Sequence, residues 1–199
     1  MRQEPPFDAR SVANFILDLA ERDGASVSNL VLQKLAYFAH GTFLSRTGKP
    51  LVAGEFEAWK HGPVHPHIYN AFKDHGADAI CRRAEIVNPV TQEKRPVPII
   101  EDAAVRNVIE DVYRSLRHRS PAALRAVSHA KNGPWWVVVE RADRHESVSL
   151  RIPNAMIQQL FRFHAISVRA GEIPEEVPDE NSPFGEEENV SVSRVRGPK

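Results

Sequence analysis

The chain has 199 residues, 42% of them hydrophobic and 26% charged. That is the composition of one globular domain plus extensions, large enough to bury a core without a disulfide or a metal. A single cysteine, Cys81, rules out an internal disulfide; the first ten residues lack a signal peptide's apolar stretch, and no run of apolar residues is long enough for a membrane helix. The expectation is a soluble, cytoplasmic protein. Charges balance at 26 of each sign, yet residues 172–199 hold eight acidic and three basic side chains, leaving residues 1–171 with 23 basic against 18 acidic. A body near +5 admits an acidic partner without demanding nucleic acid.

Asp8 reads as a helix N-cap, followed by Val12, Phe15, Ile16, Leu19 and Ala20 at helical spacing, with Gly24 as the stop. Ser28 is a second cap candidate. From Leu30 to Leu44 apolar residues cover most of the helix circumference, the mark of a central, buried helix, and Gly48 and Pro50 end it. Gln33 and Lys34 interrupt it; buried polar groups need partners, so these two are expected to fix neighbouring loops. Phe56 to Lys60 is short enough for a strand. Pro66 stands at a first helical position, with His67 to His75 behind it and Gly76 closing.

Residues 85–90 and 96–100 flank the polar turn 91–94 and read as a small hairpin blunted by Pro89, Pro96 and Pro98. Asp102 opens a helix carrying Val105, Val108, Ile109, Val112 and Leu116. Ser120-Pro121 opens another to about Ala130, and Pro153 starts the last, with Met156, Ile157, Leu160, Phe161 and His164 on one side. No element is assigned to residues 131–152. The fold class is therefore mainly α: one compact helical domain, 1–171, with a small β-hairpin. Residues 172–188 combine eight carboxylates with three prolines, too little apolar surface to offset ordering entropy, so 172–199 is expected to be a disordered acidic tail with a short basic end.

Catalytic signatures are missing from the sequence. Cys81 has Arg82 and Arg83 beside it but no glycine-rich turn; Ser128 and His129 are neighbours whose side chains diverge on a helix; no phosphate loop or dinucleotide fingerprint occurs. His61, His65 and His67 are close in sequence, but Pro66 separates the last two and Gly62-Pro63 bend the approach, so solvated or locally hydrogen-bonded histidines are the expectation, with no metal and no cofactor. Arg114, Arg117, Arg119 and Arg125 form a basic run across a helix joint, suited to the helix dipole, to an acidic partner or to DNA. Trp59, Trp135 and Trp136 are candidate interface anchors. Two adjacent tryptophans cannot easily face one way, which places one of the pair at or near the surface. Trp59, Lys60, Trp136, Arg117 and Arg119 are the candidate partner-binding residues.

Leu32-Gln33-Lys34-Leu35, Gly48-Lys49-Pro50-Leu51, Phe56 through Trp59 and Gly62-Pro63-Val64 stand in an order that resembles the Panacea (SocA-like) antitoxin domain. Ser128-His129 with Pro134-Trp135 looks like the same family's second dense segment. The resemblance spans roughly Val12 to Ala165, and makes Gln33, Lys34, Gly62, Pro63, His129, Pro134 and Trp135 its motif residues in this chain. It implies a non-enzymatic antitoxin that binds a cognate protein toxin and suppresses it by contact. In the SocA-type branch it further implies an adaptor that hands the toxin, a SocB-like replication inhibitor acting on the sliding clamp, to the protease ClpXP. A DNA-binding transcriptional regulator and a metal-dependent hydrolase built on His61, His65 and His67 are the alternatives.

Overall fold

The computed structural model describes residues 4–145 and 149–164. The domain boundary expected at 171 and the acidic tail lie outside the described residues.

Helix α1 spans Ala9–Arg22, and the Asp8 carboxylate accepts from the Arg10 amide at its start. Asp23 caps its end, with Gly24 following at φ +64°. Helix α2, Asn29–Thr47, is the axis of the molecule. Ser28 holds the N-cap position without using its hydroxyl, and Gly48 closes the helix in the left-handed region. Thirteen of its residues are buried, from Asn29 to Leu44. The reason is that α1, α3 (Pro66–Phe72), α4 (Ala103–Leu116), α5 (Pro121–Ser128) and α7 (Asn154–Leu160) all pack on it. A helix surrounded in this way has no solvent face to leave polar.

Strands β1 (Phe56–Trp59), β2 (Gly62–Val64) and β5 (Arg151–Ile152) form a small antiparallel sheet in the order β2-β1-β5. Its hairpin register, Trp59 opposite Gly62, leaves Lys60 and His61 as the turn. Phe56 packs inward against the Tyr37 ring at 5.3 Å. A 3-10 turn, Lys73–His75, follows α3.

The fold class is mainly α, as the sequence indicates, with two differences in detail. The second hairpin pairs β3 (Glu85–Val87) with β4 (Lys94–Pro96), so its second strand lies earlier than residues 96–100. Pro96 and Pro98 explain the shift: each lacks the amide that would extend the ladder. The stretch 131–152, given no element from sequence, contains helix α6 (Pro134–Asp143) and strand β5. Trp135 and Trp136 are both half-buried, near the surface. Consecutive helical positions lie about 100° apart, so α6, which rests on β1, β5 and α7, can half-cover both.

Candidate partner-binding site

The motif residues converge on the β1–β2 hairpin. Gln33 and Lys34 are 2% and 1% exposed. The Gln33 amide oxygen accepts from the His65 backbone N–H at 2.8 Å, and its nitrogen donates to Asn29 Oδ1 at 3.3 Å. Lys34 Nζ donates to the Pro63 carbonyl at 3.0 Å. Two consecutive side chains of α2 thus pin the strand that carries Gly62, Pro63 and Val64, at positions 63 and 65.

Gly62 is at φ +97°, and a Cβ there would meet Ser128 Oγ at 2.7 Å and Lys34 Nζ at 2.8 Å. The site therefore needs glycine twice over, for backbone sign and for close approach. Ser128 is fully buried and donates to the Arg125 carbonyl at 2.8 Å. Burial, with the Arg125 guanidinium acting in the same direction, brings the Lys34 amine down to about 7.

Above the hairpin, the Trp135 indole N–H donates to the Trp59 carbonyl at 2.9 Å, and its ring stacks on His129 at 3.6 Å and 7°. Pro134 opens α6 at its first turn and is buried, which sets that indole over the hairpin. The Trp59 ring meets Tyr69 edge-on at 4.7 Å, while its N–H donates to Glu57 Oε2 at 2.8 Å. Trp59, Lys60 and Trp136 are all half-buried, and His61 is exposed. A rigid turn carrying a partly open indole beside a lysine has the chemistry of a protein-binding anchor.

Arg117 belongs elsewhere. It caps α4 and pairs with Asp23 at the end of α1, in a network where Arg22 and Arg114 share Glu110. Arg119 is half-buried in the turn after α4. Two arginines of the basic run, Arg114 and Arg117, are thus engaged by carboxylates of this chain.

Of the three close histidines, His65 and His67 meet edge-on at 5.5 Å. His65 is 2% exposed, packs edge-on to Phe56 and donates from Nε2 to the Ala53 carbonyl at 3.0 Å. Of the two expected states, solvated or hydrogen-bonded, His65 takes the second: β2 is buried at all three positions, and His65 continues it inward. Among the described residues, no group of three or more His, Cys, Asp or Glu side chains could hold a metal ion. Cys81 is exposed.

Sequence reasoning passed over two further polar locks. His164 is 1% exposed; its Nδ1–H donates to the Val127 carbonyl at 2.9 Å, and Nε2 accepts from the Tyr37 hydroxyl at 3.1 Å. His40 accepts the Val52 amide at Nδ1 and donates from Nε2 to Asn154 Oδ1 at 3.0 Å. Their signal was present as more polar positions, 37 and 40, in an otherwise apolar helix. Glu57 and Trp59 were also legible as an i, i+2 pair on one strand face.

The profile of the family described as "Antitoxin SocA-like, Panacea domain" matches residues 32–136, the stretch that runs from the Gln33–Lys34 pins to the tryptophans of α6. The chain belongs to this family of antitoxins. It is 41% identical over 183 residues to a Caulobacter vibrioides (strain NA1000 / CB15N) protein named "Antitoxin SocA", covering 89% of this chain and 97% of that one. No solved structure matches it. Family membership supports an antitoxin role. No helix among the described residues is long and apolar enough to cross a membrane.

Proposed function

We propose that the chain is the antitoxin of a toxin–antitoxin pair, acting in the cytoplasm by contact with a cognate protein toxin and without chemistry of its own. The observation that carries this reading is the 41% identity to "Antitoxin SocA" across almost the whole of both chains. The pinned hairpin supports it physically. Trp59, Lys60 and Trp136 form the candidate contact surface, with Arg117 and Arg119 as a second basic region at the α4 end; Gln33, Lys34, Gly62, Pro63, His129, Pro134 and Trp135 hold the first surface in shape.

The reading extends to a proteolytic adaptor that delivers a SocB-like toxin, a sliding-clamp-binding replication inhibitor, to ClpXP. A chain that holds its cargo on a folded body has a second element to spare for the protease, and linking the two contacts raises their effective concentration. The test is co-expression with the neighbouring reading frame. Its product alone should arrest growth, growth should return with this chain, and toxin lifetime should lengthen when ClpX is depleted. Rescue with an unchanged toxin lifetime would leave neutralisation standing and remove the adaptor role.

A further inference from the structure

The hairpin arm between residues 85 and 100 has no part in the site above. It carries all three exposed large apolar side chains among the described residues: Val87 at 43%, Val90 at 87% and Ile99 at 75%. A two-stranded hairpin with both outer edges unpaired is a ready template for another strand. Beside it lies a cleft of about 290 Å³ between α1, α4 and residues 97–100, walled by Phe15, Val97 and Ile100.

Of the polar groups at this cleft, Asn14 holds the Ala84 backbone and Asp18 pairs with Arg83, which leaves Ser11 and Arg106. Ser11 is 4% exposed and lines it, yet its hydroxyl has no hydrogen-bond partner. A buried hydroxyl without a partner costs free energy that a ligand's acceptor would return. Arg106 lies over the Phe15 ring at 4.7 Å; its charge acts on Glu110, but that carboxylate is held by Arg22 and Arg114. The Ile99 and Ile100 amides make no hydrogen bond among the described residues. Pro96 and Pro98 bias Arg95 and Val97 toward the extended backbone that strand addition uses.

We propose that this cleft receives an extended segment of a protein partner, with a bulky apolar side chain seated between Phe15 and Ile100, a carboxylate on Arg106 and main-chain contacts along Ile99–Ile100. The proposal rests on the reading of the chain as a protein-binding antitoxin and adds a second contact surface to it. An acidic partner segment fits because Arg106 is the rim cation whose neighbouring carboxylate, Glu110, is held by other arginines, and an extended one fits because open amides need carbonyls in line.

The test uses the full chain and two fluorescent hexapeptides, one alternating glutamate with leucine and one alternating lysine with leucine. The glutamate peptide should bind saturably and slow hydrogen exchange at Ile99 and Ile100, while the lysine peptide should not. Arg106→Glu should weaken the glutamate peptide about tenfold or more and reverse the preference, and Ile99→Asp should weaken it comparably. Equal binding of both peptides, or binding indifferent to both substitutions in chains with wild-type circular dichroism, overturns the proposal. Protection of Ile99 and Ile100 in the free chain would also overturn it: at all concentrations it would assign the cleft to the chain's own tail, and only at high concentration to a second copy. Peptide binding needs no toxin, so its outcome is separable from failure of growth rescue.

Discussion

Replacing Lys34 with methionine should change how stability responds to pH more than it changes stability itself. The amine is 1% exposed, has the Pro63 carbonyl as its hydrogen-bond partner, and titrates near 7 in the folded chain, against about 10.4 in an unfolded one. A depressed lysine pKa means that the unfolded chain holds more protons between these values, so stability must rise with pH across that window and be flat below it. For this one group the rise from pH 7 to pH 9 is about 2 kcal/mol, or roughly 1 M in urea midpoint for a slope of about 2 kcal/mol per M. Methionine keeps the length and removes the proton. It leaves the Pro63 carbonyl orphaned, at about 1–3 kcal/mol, but also removes a desolvation penalty of similar or larger size, so the variant should be near neutral or stabilised at pH 7. The assay is urea unfolding by circular dichroism at pH 6, 7, 8 and 9, with both chains in one buffer series. The wild-type midpoint should gain on the Lys34→Met midpoint from pH 7 to pH 9, while below pH 7 both should fall together as the lowered histidines take up protons. Parallel profiles would refute the buried-amine account of this motif lysine.

Three buried histidines and the half-buried His129 make the acid limb steep. His40, His65 and His164 are lowered by burial to about 4 and His129 to about 3, so stability present above the unfolded value near 6.5 is lost as pH falls, and acid unfolding watched by tryptophan fluorescence should be complete before pH 4. Leu35→Ala, at a side chain 1% exposed in the middle of α2, should cost about 2–5 kcal/mol in urea unfolding. Gly62→Ala should cost about 2–4 kcal/mol by the same assay, because it adds a Cβ both at positive φ and within 2.8 Å of Lys34 and Ser128. Cys81→Ala, at an exposed thiol, should leave toxin neutralisation and the urea midpoint unchanged, the latter to within about 0.5 kcal/mol.

The central helix was readable because its apolar residues leave no polar stripe and Gly48 stops it where the pattern ends. α6 was not. Trp135, Trp136 and Val137 to Val139 are aromatic and β-branched, residues whose side chains lose freedom in a helix, and they offer no polar face with a 3.6 period. That segment is helical because Pro134 presets its first turn and because β1, β5 and α7 supply the surface it covers. The need of Gln33 and Lys34 for partners could be read locally. Which partners could not: the Pro63 carbonyl and the His65 amide are 29 and 32 residues away. Whether His65 is solvated or hydrogen-bonded was not legible for a related reason, since its burial depends on Phe56 and the Ala53 carbonyl, neither adjacent to it in sequence.

The claim on which the rest depends is that this chain silences a toxin by binding it. Its most direct measurement is a binding isotherm, by calorimetry, between the purified chain and the purified product of the adjoining reading frame, with Trp59→Ala as the paired variant. The account expects a saturable one-to-one complex, weakened by about tenfold or more in a variant that unfolds at an unchanged temperature, since partly exposed tryptophans of this kind carry about 2 kcal/mol or more when they anchor an interface. No heat and no co-elution with a toxin that nonetheless arrests growth would contradict it.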